Sequence, residues 1–204
     1  VLFEEEHAPK TLEEDVAYDG FETFTHSQFS PCYVNTVVGS HSMFIYFNTL
    51  SPLNRKGRMT EDQMLKNRKL IEKHGLYPQS SVYEESCFLM RELSSMGPGK
   101  TLYTDEHKSY FRAYHSFDCA LEHETINSQI KRDPSNPLFP INRLHMIYRH
   151  HFSSQQRETI SFQKHEAALL EKIQLMKTYM NYMKPKFVKK NKFDPHAHDW
   201  SPAM

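Results

Sequence analysis

Along the chain, alternating apolar positions come first and helical spacing takes over later. Residues 16–19 form a short apolar run that closes on an acid, Asp19. Residues 33–39 and 42–50 are rich in β-branched and aromatic side chains, and Gly39-Ser40-His41 between them is turn chemistry, so a hairpin is predicted. A polar turn, Arg55-Lys56-Gly57-Arg58, follows. From Thr60 to about His74 the pattern is helical: Thr60 can cap, Glu61 and Asp62 open the first turn, Met64, Leu65, Leu70 and Ile71 are apolar, and Gly75 is a stop. A second helix is expected over 82–96, ended by Gly97-Pro98-Gly99. Residues 100–105 read as a strand that again finishes on an acid, Asp105; 107–117 read as a helix, and 120–126 alternate like a last strand. Two long helices complete the pattern. Pro140 opens one, with Ile141, Leu144, Ile147 or Tyr148 and Phe152 on a face; the other runs from about Phe162 to Met183, striped by Leu169, Ile173, Met176, Met180 and Met183. This order predicts an α/β domain: a mixed sheet with an antiparallel three-strand meander, flanked by helices.

The 204 residues suffice for one domain with a real core. We divide them into an acidic leader (1–14), a core (15–184) and a basic, polar tail (185–204). Lys plus Arg and Asp plus Glu both number 25, a balance that argues mildly against a free-standing nucleic-acid-binding domain. The distribution softens this. Residues 1–22 hold six Glu and two Asp against one Lys, whereas 184–192 reads Lys-Pro-Lys-Phe-Val-Lys-Lys-Asn-Lys. The opening Val-Leu-Phe-Glu-Glu-Glu-His is neither a signal peptide nor a natural start, so a chain beginning inside a longer protein is expected. No apolar stretch approaches the roughly 20 residues that span a bilayer. Cys32, Cys87 and Cys119 are too scattered for a zinc ribbon or a disulfide framework, which fits reduced thiols in a cytoplasmic protein. His196 and His198, near Asp194 and Asp199, read as an adventitious surface cluster.

Asp19 and Asp105 each close a predicted strand, where an α/β sheet presents ligand-binding groups. Carboxylates are the hard oxygen ligands that Mg²⁺ prefers, and two such ions about 4 Å apart clamp both oxygens of an in-line phosphoryl displacement. Taken alone, an acid at a strand end is more often a turn residue or a helix cap. Ala17-Tyr18-Asp19-Gly20-Phe21-Glu22-Thr23-Phe24, Val37-Val38-Gly39-Ser40 and Thr104-Asp105-Glu106-His107-Lys108-Ser109-Tyr110 resemble successive blocks of an insertion-sequence transposase of the DDE type. So do residues 142–149 and the run Arg157-Glu158-Thr159-Ile160-Ser161-Phe162-Gln163-Lys164. The resemblance covers roughly residues 15–186. It implies a ribonuclease-H-like fold and metal-dependent DNA cleavage and strand transfer in DNA transposition and recombination. It further implies a two-metal site for Mg²⁺ or Mn²⁺, with Asp19 and Asp105 as the first two catalytic acids. Transposon-end and target DNA would be the partners, with a homodimer or higher oligomer, in a bacterial cytoplasm at the nucleoid.

The family draws its third acid from the helix after the last strand. Here that slot is His145, or Asn142 if the register moves by one turn, and neither is a carboxylate. A neutral imidazole suits transition metals better than Mg²⁺, and a free one protonates below about pH 6.5. Packed against Ile141 and Tyr148, His145 would instead be inert. Glu158 is the fallback third acid, although it can pair with Arg157 or Arg149. Arg143, Arg149, Arg157, Lys164, Lys184 and Lys186 lie on or just after the flanking helices and are the candidate DNA-phosphate contacts. Singly, each reads as a solvated charge. Three functions remain open: a competent transposase core, a catalytically impaired remnant that only binds DNA or is structural, and another endonuclease on the same fold.

Overall fold

A computed structural model describes residues 8–155 and 163–184. Strands β1 (Val16–Phe24), β2 (Pro31–Gly39) and β3 (Ile45–Pro52) form the expected antiparallel meander. Helices α1 (Glu61–His74) and α2 (Ser81–Ser95) follow, then β4 (Thr101–Thr104), α3 (Lys108–Tyr114) and β5 (Glu122–Thr125). The described chain ends with α4 (Phe139–His151), a short 3-10 turn (Ser153–Gln155), α5 (Glu166–Thr178) and a π turn (Tyr179–Met183). The sheet runs β3-β2-β1-β4-β5, and β4 lies parallel to both β1 and β5. The domain is thus a mixed α/β layer structure.

Strand alternation divides the core in two. Ala17 and Phe21 of β1 pack with Leu138, Ile141, Leu144 and Tyr148 around α4 and with Leu169 and Ile173 of α5. Val16 and Tyr18 point the other way, among Leu89, Met90 and Leu93 of α2 and Tyr110 and Ala113 of α3. Under α2 the buried Tyr18 hydroxyl is 2.8 Å from Ser86 Oγ, and Asn35 Nδ2 donates to Ser51 Oγ at 2.7 Å. Such pairs are needed wherever polar groups leave water. The N-terminal approach is tied in as well. Leu12 is buried, Glu14 accepts from the backbone N–H groups of His41 and Ser42 at 2.8 and 3.0 Å, and Asp15 Oδ1 accepts from Thr101 N at 2.8 Å.

Several boundaries differ from the sequence expectation: β1 runs past Asp19 to Phe24, α3 and β5 are shorter than the 107–117 and 120–126 expected, and α5 starts at Glu166 rather than about Phe162. β3 starts at Ile45, not residue 42, because Met43 turns the chain with φ 60°. It extends through Ser51 to Pro52, since an edge strand tolerates a residue with no N–H to donate. The last helix gives way to the π turn, whose extra residue rotates the stripe. Met183 is therefore 63% exposed, while Asn181 is buried and bonds both Ile45 N and Ile45 O, covering the open edge of β3.

Candidate active site

The parallel β1–β4 register pairs Val16 with Leu102 and Ala17 with Tyr103. Carried two residues further, it sets Asp19 level with Asp105, the residue just past β4, on strands that neighbour each other. Asp19 has the parity of Ala17 and Phe21, so it belongs to the α4 side of the sheet. Each acid commits one oxygen to a nearby backbone N–H: Asp19 Oδ1 accepts from Gly20 N at 2.7 Å, and Asp105 Oδ1 from His107 N at 2.9 Å. The second bond fixes the entry to α3, where His107 Nδ1 in turn accepts from Ser109 N at 3.3 Å.

Burial, followed by the charge of Asp105, pushes the Asp19 carboxyl up to about 7; the Gly20 N–H and the Arg132 guanidinium pull the other way. Arg132 had no place in the sequence reading. Its Nη1 is buried with no hydrogen-bond partner among the described residues. Gly20 is the second missed residue, and its signal was a small residue directly after the acid. A Cβ there would come within 2.9 Å of the Tyr33 ring and 3.0 Å of the Tyr110 hydroxyl. Tyr110 fills the space behind the pair, stacked 4.5 Å from Tyr18, and burial raises its phenol well above the usual range.

His145 lies on α4 with its ring 5.4 Å from that of Phe21. It is 6% exposed, and Nε2 has no hydrogen-bond partner among the described residues. Burial, helped by Arg149, holds it down at about 3, so it stays neutral at any ordinary pH and cannot supply a titration near 6.5. Among the described residues no three His, Cys, Asp or Glu side chains gather closely enough to hold one metal ion. The acid pair therefore stands without His145 beside it.

The other slot, Asn142, lies nearer the start of α4. The Tyr148 ring stands 6.4 Å from Phe21, while its hydroxyl donates to Asn48 at 3.3 Å beside Thr36, the cross-strand partner of Asp19. Long helical side chains lean toward their own N-terminus, so the start of α4 lies toward the Asp19 level. Asn142 lies one turn before His145 on the same helix. It is partly exposed, and its Nδ2 donates to Leu138 O at 2.7 Å, which leaves the amide oxygen for another partner.

Of the expected DNA contacts, Arg143 and Lys164 are exposed and Lys184 is partly covered. Arg149 lies over the Phe21 ring at 4.7 Å, a cation–π contact within the fold. Arg157, Lys186 and the fallback acid Glu158 lie outside the described residues. Among the described residues no helix is long and apolar enough to cross a membrane, and the three cysteines are free.

No protein-family model matches the chain, and no curated protein does. A solved structure of a simian T-cell lymphotropic virus intasome, in complex with the PP2A regulatory subunit B56 gamma, contains a chain that is 12% identical. The match covers 87% of this chain and 51% of that one, so this chain spans about half of its length. The TM-score is 0.38, and agreement this loose does not establish a shared fold.

Proposed function

We propose that this chain is a metal-dependent DNA strand-cleaving and strand-transferring core of the DDE transposase type, on a ribonuclease-H-like sheet. The observation that carries the reading is Asp19, within β1, level with Asp105, just past the neighbouring parallel strand β4, with Asp19 pushed up to about 7. Two carboxylates so placed repel unless a proton or a cation relieves them, and their oxygens suit Mg²⁺ or Mn²⁺. Asp19 and Asp105 would hold the metal, and Asn142 offers a neutral hard oxygen at the third position. When bound, two such ions stabilise the attacking and leaving oxygens of a phosphodiester exchange. The chain itself contributes the rest. Arg132 offsets charge at Asp19, Gly20 lets Tyr33 and Tyr110 close up behind the acid, and the Gly20 and His107 N–H groups orient the two carboxylates. Asp19 must shed its proton to ligate, so proton and metal compete for it, and activity at limiting metal should fall as pH is lowered.

The impaired-remnant reading has its own support: neither His145 nor Asn142 brings the negative charge of a third acid. Two measurements separate the readings. Mn²⁺ should raise the melting temperature of the wild type by mass action, and much less so for Asp105→Asn; an equal shift means that the metal binds elsewhere. Nicking of a supercoiled plasmid should rise at least tenfold for Asn142→Asp and far less for His145→Asp. A wild type and Asn142→Asp that both fail to cut, while DNA still binds, would support the remnant.

A further inference from the structure

Between Arg55 and His74 the chain carries seven Lys and Arg against three acids, Glu61, Asp62 and Glu72, although over the whole chain the two totals are equal at 25. All of these cations except Arg55 are exposed. Helix α1, which bears four of them, buries no residue at all, and its Met64 and Leu65 are 47% and 52% exposed. Its inner stripe, Asn67, Leu70, Ile71 and His74, faces a cavity of about 580 Å³ rather than a packed core. A helix that adds so little to the core, and concentrates so much positive charge, has the makings of a binding element.

Beside this region lies a groove of about 350 Å³, which Arg55 and Lys56 share with His107. Leu53, Arg55 and Lys56 line it together with Tyr33 and with His107 and Ser109 at the start of α3. The inner end is fixed by the bond from His107 N to Asp105. Lys56 acts on the same histidine, whose imidazole is lowered by burial despite the opposing charge of Asp105 and further lowered by the ammonium. At the outer end Arg55 and Lys66 both sit over the Phe29 ring, at 5.3 and 5.7 Å, and Arg55 Nη1 donates to Gln28 O at 2.6 Å. One acid, Glu22, lines the groove, which leaves its Lys56 side as the path for a negative chain.

We infer that this groove and the outer face of α1 bind the phosphodiester backbone of a nucleic acid. The inference deepens the catalytic reading and rests on it, but it moves the main contact away from Arg143 and Lys164. Charge complementarity carries it: a row of exposed cations on α1, beside a groove lined by Arg55 and Lys56, matches a polyanion. The test measures binding of the full chain to a fluorescent DNA duplex and its single strand, in chelator, over a salt series. Reversing Lys56, Arg68 and Lys69 together to Glu should weaken binding at least tenfold at low salt. It should also reduce the salt slope by roughly 3, at ~0.9 per phosphate contact. Arg143→Glu with Lys164→Glu should change affinity less than about twofold, and melting curves check that each variant folds. Equal losses in the two sets, a larger loss in the second, or wild-type binding that ignores salt would overturn the inference. So would polyglutamate binding as tightly as DNA, which would point to an acidic protein partner. No metal is present in this assay, so its failure is separate from a failure of the acid pair, which shows only in the Mn²⁺ melts and the nicking assay.

Discussion

Helices α1 and α4 invert the usual relation between local signal and burial. α1 carries every local sign of a helix: a full capping box between Thr60 and Gln63, acids in its first turn, Lys73 and His74 in its last, and Gly75 at φ 80° after it. It buries nothing. α4 has no capping side-chain bond and opens with a proline, yet it buries Pro140, Ile141, Leu144, His145 and Tyr148 and closes over the strand that bears Asp19. One helix is therefore held by its own ends, and the other by what it covers.

The contrast is tested most severely by truncation. Leu144→Ala should cost about 3 kcal/mol in a denaturant melt, from lost burial and the cavity left behind. Leu65→Ala on α1 should cost less than about 0.5 kcal/mol. Similar losses at the two sites would mean that α1 is packed against something in solution.

Next in size is the pH response of the face under α4. Asp19 titrates at about 7 in the fold, above its ordinary value, so the folded state binds the extra proton. Without metal, stability from this group is present below about pH 4 and is lost as pH rises through about 7, by roughly 2 kcal/mol after allowance for partial exposure. His145 works in the opposite sense: held at about 3, it favours folding above about 6.5 and costs stability as pH falls through about 3. In the wild type the two slopes oppose each other between pH 4 and 6.5. Asp19→Asn should remove the first slope, raise the metal-free melting temperature at pH 8 and uncover a steady loss below pH 6.5. An unchanged pH profile would show that Asp19 is not the buried acid described here.

The smallest effect belongs to the cap. Thr60→Ala should lower stability by about 1 kcal/mol or less, and it should selectively speed amide exchange along α1. A larger global loss would again mean that α1 is packed.

Element positions were largely legible in the sequence because period-two and helical spacing, caps and glycine stops are local. The meander and Asp105 at a strand end followed from that reading, whereas Asp19, expected to close its strand, lies within β1, which continues to Phe24. Arg132 was not legible: it sits in an irregular loop, and only folding brings its guanidinium within reach of Asp19. The choice between His145 and Asn142 was also hidden, because only one helical turn separates them. The cations of α1 were visible as letters, but a charged helix that packs reads the same as one that does not.

The sequence by itself determined the kinds and order of elements and the two acids, through short-range backbone preferences and alternation. Tertiary structure alone decided that β4 lies parallel beside β1, which sets Asp19 level with Asp105 and shifts the proton affinity of Asp19 by burial and by the charge of Asp105. It also decided that α1 is left at the surface. Pairing, depth and tilt depend on which distant surfaces close on one another, and no local stretch of chain encodes that.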